Sequence, residues 1–87
     1  MIIQGAAVTS QGVDFAIAVV AMELVNSHGE ADLAIETIRP TFGGVPVVLM
    51  AQKDDGSPVY YGDDELVRSL ADMPIEKMPW KDYSVPM

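Results

Sequence analysis

Residues 45–71, VPVVLMAQKDDGSPVYYGDDELVRSLA, limit the possible folds of this chain more than any other stretch. Residues 45–52 are apolar at odd and even positions alike, the pattern of a strand buried on both faces. Pro46 suits the first position of such a strand, where no ladder bond is lost. Asp55-Gly56 supplies the positive-φ position of a hairpin loop over residues 53–57, and residues 58–61 return as a shorter strand. Gly62 breaks that strand and Asp63 caps a helix, with Asp64 and Glu65 in the first turn, where the dipole favours acids. Leu66, Val67 and Leu70 share its inward face, Arg68 points out, and Pro74 ends it. A unit of this kind needs a sheet to sit in, and the rest of the chain must supply it.

Residues 2–8 are short and apolar and run into the turn-rich Thr9-Ser10-Gln11-Gly12. Beyond them Val13, Phe15, Ile17 and Val19 alternate with Asp14, Ala16, Ala18 and Val20. Large residues on one face and small ones on the other suit a central strand through about Val20, with something packed close on the alanine side. The two segments then form a hairpin. A helix is the rival over residues 13–25, because Ala16, Ala18, Ala21, Met22, Glu23 and Leu24 are good helix formers and Gly29 suits a cap. Ser27-His28-Gly29-Glu30 has the form of a capping box. The helix it opens carries Ala31, Ala34, Ile35 and Ile38 on one stripe and stops at Pro40. Gly43-Gly44 lets the chain reverse before the next strand.

Residues 74–87 hold Ile75, Met78, Trp80, Tyr83 and Val85 among three prolines. The prolines argue against regular structure, and the apolar content argues against a free tail. The expected fold is therefore α+β, in the order β-β-α-β-β-α. A mixed sheet of about four strands with two helices packed on it forms a single domain over residues 1–73. Residues 74–87 form an irregular apolar strap, laid on the domain or on a partner.

Composition narrows the function. Five basic residues face thirteen acidic ones, for a net charge of −8 over 87 residues. Such a chain repels phosphate, which argues against nucleic acid as a partner and favours basic partners or cations. Cysteine is absent, so disulfides, thiol redox chemistry and thiolate metal sites are excluded. The longest uncharged apolar run, residues 15–22, is well short of the roughly 20 residues that span a bilayer. No signal-peptide pattern opens the chain, and a cytoplasmic protein without membrane contact is expected. A hydrophobic fraction of 49% is more than so small a body hides easily, which points to self-association as a homodimer.

No residue is assigned a catalytic, cofactor-binding or metal role. His28 is the only histidine and falls in the capping box, as an exposed first-turn residue. Asp54, Asp55, Asp63, Asp64 and Glu65 could converge on a hard cation, but hairpin and helix-start chemistry account for all five. The candidate interface residues are Tyr60, Tyr61, Trp80 and Tyr83. Tyr60 and Tyr61 point to opposite faces of one strand. Trp80 with Tyr83 has the composition of an interface anchor, and equally of an intramolecular clasp.

Residues 45–70 resemble the C-terminal half of thioredoxin-like domains, especially the glutathione-transferase branch. The matching features are Val45-Pro46 before the strand, Asp55-Gly56 in the hairpin, and Asp63-Asp64-Glu65 opening the helix. The resemblance implies a cis proline at Pro46 bordering a ligand site. It does not carry over an activity, because Asp63-Asp64 stands where the family has Glu/Gln-Ser and would repel a glutathione carboxylate. The expectation is a small non-enzymatic protein that acts by protein–protein association. The alternatives are an acidic decoy for the basic groove of a nucleic-acid-binding protein, and a cysteine-free thioredoxin-like domain holding a small ligand near Pro46.

Overall fold

A computed structural model describes residues 1–86. Its elements are β1 (Ile2–Ser10), β2 (Val13–Val19), α1 (Met22–Asn26), α2 (His28–Ile38), β3 (Val47–Gln52), β4 (Pro58–Tyr61), α3 (Asp64–Leu70) and β5 (Lys81–Ser84). Short 3-10 turns occupy Arg39–Phe42 and Ile75–Lys77. The fold is α+β, with five strands in one mixed sheet ordered β4-β3-β2-β1-β5. Neighbours run antiparallel except β2 and β3, which are parallel.

The β1–β2 turn places Gln11 at φ 51 and Gly12 at φ 79. Two left-handed residues in a two-residue loop match the twist of the flanking strands. Residues 13–19 are thus strand, because burial on both faces overrides the helix propensity of Ala16 and Ala18. The helix formers that follow are used in α1, a short helix missing from the expected order. Ser27 does stand at the N-cap of α2, but its hydroxyl makes no capping bond. Its backbone links the two helices instead, donating to Leu24 O at 3.3 Å and accepting from Ala31 N at 2.8 Å. Pro40 falls in the 3-10 turn, and Gly43 (φ 75) and Gly44 (φ 85) turn the chain back into β3.

Both faces of the sheet are covered. On one, Ala16, Ala18, Val47, Leu49 and Ala51 meet Val25, Ala31, Ala34 and Ile38 of α1 and α2. Ala16, Ala18 and Ala31 are wholly buried; with small residues on both sides, helix and sheet can approach closely. On the other face, Phe15, Ile17, Val48 and Met50 lie under Leu70 of α3 and Met78.

The sheet has five strands rather than about four, because part of the expected irregular strap is β5. It pairs with β1, Ile3 opposite Tyr83 and Gly5 opposite Lys81. Pro79 and Pro86 flank β5 without interrupting it, and an edge strand needs ladder bonds on one side only. Around it, Met78 and Val85 are buried, and the Trp80 indole Nε1 donates to Ile75 O at 2.7 Å.

Candidate functional site

The four candidate aromatics do not form one patch. Tyr60 and Tyr61 lie on β4, one edge of the sheet, while Trp80 and Tyr83 lie at β5, the other edge. Tyr61 and Tyr83 pack on the face covered by α1 and α2, Tyr60 and Trp80 on the face covered by α3. Each edge therefore carries one aromatic per face, packed against its own chain. Tyr83 stacks with Phe42 at a centroid distance of 4.4 Å, and the pair lies over Gly5.

The acidic residues singled out in the hairpin and at the start of α3 are held locally. Asp55 Oδ1 accepts from Ser57 N at 2.9 Å, and its bonds to Ser57 hold the carboxyl below its ordinary range. Asp63 Oδ1 accepts from Glu65 N at 3.0 Å and Leu66 N at 3.3 Å, capping α3. Among the described residues, no group of three or more His, Asp or Glu side chains is placed to hold a metal ion. Among the described residues, no helix is long and apolar enough to cross a membrane.

Among the open places on the molecule, two stand out chemically. The first is a cleft of about 360 Å³ between α2 and the adjacent end of the β3–β4 hairpin. Ile35, Pro46 and Val47 give it an apolar lining, and Asp32, Arg39 and Tyr61 give it polar groups. The Tyr61 hydroxyl donates to Asp32 Oδ1 at 2.7 Å, which raises the phenol above its ordinary range. His28 stacks on the Tyr61 ring at 5.1 Å. Arg39 is anchored by donating to Gly44 O at 3.1 Å and to Glu36 Oε1 at 3.5 Å. The Val45–Pro46 bond is trans, as are all described peptide bonds, so the cis proline implied by the thioredoxin-like resemblance is not present. Sequence reasoning pointed at Pro46 and Tyr61 but missed Asp32 and Arg39, because no local pattern joins Asp32 to a tyrosine 29 residues away.

The second open place is the outer edge of β1. Met1 N donates to Val85 O at 3.0 Å, and Val85 N returns a bond to Met1 O at 2.9 Å. This reciprocal pair sets the phase, because alternate residues of an antiparallel strand aim their backbone groups at the same neighbour. Ile3 and Gly5 therefore face β5, whose pairing stops at Gly5. Ala7 and Thr9 aim their N–H and C=O groups the same way, past the end of that pairing. Both residues are exposed, and Val8 between them is half-buried. Residues 6–10, Ala-Ala-Val-Thr-Ser, contain no charge and no proline, the usual devices that discourage an edge from pairing. The opposite edge, β4, has only four residues and opens on Pro58, which has no amide to donate.

No protein-family model, curated protein or solved structure matches the chain.

Proposed function

We propose that this is a small non-enzymatic protein that acts by protein–protein association, with a second copy of itself as the first partner. The observation that carries the reading is the outer edge of β1 beyond Gly5. It offers two residues' worth of backbone donors and acceptors on a short, uncharged stretch. Adding a strand to such an edge gives affinity through the main chain and is a recurring mode of protein recognition. Of the exposed apolar side chains, Val13 (45% exposed) lies beside this stretch, opposite Ser10, while Met1 and Ile2 sit at the far end of β1, where it pairs with β5. β5 already fills the neighbouring row as far as Gly5. An incoming antiparallel β1 can therefore centre on Thr9, whereas centring on Ala7 would run it into β5.

Sedimentation equilibrium over a range of concentrations tests this. The expected result is a reversible dimer that Ala7→Pro weakens. That substitution removes only an outward-facing amide, so the β1–β2 ladder keeps its bonds. A protomer mass at every concentration would overturn the self-association reading. A dimer that Ala7→Pro leaves intact, with an unchanged melting temperature, would move the contact away from this edge.

A further inference from the structure

We propose that the cleft between α2 and the β3–β4 hairpin binds small dipolar molecules, with an ammonium and a carboxylate separated by an apolar chain. This site lies toward the β4 edge of the sheet, away from the open edge of β1, and the inference does not depend on how copies associate. The cleft's volume, about 360 Å³, is in the range of small-molecule sites. Asp32, Ile35 and Arg39 share one face of α2 and its continuation, at spacings of three and four residues. Asp32 and Arg39 are seven positions apart, about 10 Å of backbone along a helix axis at 1.5 Å per residue. The cleft thus has an anion at one end, a cation at the other, and Ile35, Pro46 and Val47 for an apolar chain to lie on.

Both charged groups are oriented, and both keep capacity for a ligand. Asp32 uses Oδ1 for the Tyr61 hydroxyl, leaving Oδ2 to accept from an ammonium. Arg39 has five N–H donors; the described bonds engage Nη2 at Gly44 O and Nη1 at Glu36, the latter a long, exposed contact of 3.5 Å. Asp63 also borders the cleft; its Oδ1 is taken by the first amides of α3, and its Oδ2 adds a second acceptor for an ammonium. An α-amino acid places its two charges too close together to reach both ends. A molecule with several methylenes between them, or the two termini of a short peptide, matches the spacing.

The test is an NMR titration of the isotope-labelled protein with straight-chain ω-amino acids of increasing length, glycine being the shortest. Hexylamine and hexanoate serve as single-charge controls, and a blocked and an unblocked tripeptide separate the free-molecule and peptide-terminus sources. The expected result is that 6-aminohexanoate shifts the amides around Asp32, Arg39, Val47 and Tyr61. Its Kd should be about millimolar, the scale for a ligand of this size. Glycine should shift none of them, and removing either charge should weaken binding about twofold to fivefold, the scale of an exposed ion pair. Asp32→Asn, which still accepts from Tyr61, should reduce 6-aminohexanoate to the affinity of hexanoate. Arg39→Gln should reduce it to that of hexylamine. The proposal is overturned if 6-aminohexanoate binds no better than hexylamine, if its shifts map elsewhere, or if nothing shifts at tens of millimolar.

Discussion

Gly5 shows how one position in a strand can be set by a distant part of the chain. A Cβ built there would lie 2.7 Å from Phe42 Cζ, 3.1 Å from Tyr83 Cδ2 and 3.1 Å from the Ile17 carbonyl oxygen. The rings fill the space that a side chain on β1 would occupy, much as aromatic neighbours cover strand glycines elsewhere. Gly5→Ala should therefore destabilise the protein, by about 1–3 kcal/mol as overpacking does, measurable by urea unfolding. Asp63 has a more local role, and Asp63→Ala should cost about 1 kcal/mol through the lost cap. Two groups give the residue scale a pH signature. Asp55 is held below its ordinary range by Ser57, so its contribution is present above the usual carboxylate pKa and is lost as pH falls through the lowered one. Tyr61 is raised by its bond to Asp32, so its contribution is present below the usual phenol pKa and is lost as pH rises through the raised one. Melting curves of Asp55→Ala and Tyr61→Phe should accordingly show weaker acid and alkaline dependence, respectively, than the wild type.

At the scale of elements, the segment after Pro74 is part of the fold. β5 closes the outer side of the first half of β1, Trp80 and Met78 pack on the α3 face, and Tyr83 and Val85 on the α2 face. Trp80→Ala should cost about 3 kcal/mol, toward the lower end for a large aromatic because the residue is only half-buried. Truncation after Met73 should lower the melting temperature sharply, since it strips a strand and apolar cover from both faces. These elements differed in how readable they were. β3, β4 and α3 could be located because each carries its own local signal: the aliphatic run, Asp55-Gly56, and the Asp63 cap. β5 could not, because its stability comes from β1 rather than from residues 81–84, and the flanking prolines obscured it. α1 was hidden in the same segment whose earlier half is strand. The capping box at Ser27 marked the correct helix start, though for a backbone reason. The cleft was the least legible feature of all, since Asp32, Arg39 and Tyr61 converge only after α2 has packed beside the β3–β4 hairpin.

On the scale of the whole molecule, a fully covered sheet leaves little apolar surface for association through a face. Among the described residues, the large apolar side chains that are strongly exposed are Met1, Ile2, Val13 and Leu33, and Leu33 stands apart on α2. Backbone is left open on an uncharged stretch at Ala7 and Thr9, whereas the outer rows of the four-residue strands β4 and β5 carry Pro58 and Asp82, and this shifts the association reading from sheet faces to a sheet edge. A net charge of −8 opposes the approach of two copies, so a dimer should tighten as salt screens that repulsion. Sedimentation at low and high ionic strength checks the sign, and a dimer that salt weakens would point to ion pairs in place of strand addition. The most direct measurement is amide hydrogen exchange at Ala7 and Thr9 as a function of protein concentration. Association through this edge predicts that both amides exchange fast when dilute and become protected as the dimer fills, while the inward amides of Val8 and Ser10 stay protected throughout. Fast exchange at Ala7 and Thr9 under conditions where the protein sediments as a dimer would contradict it.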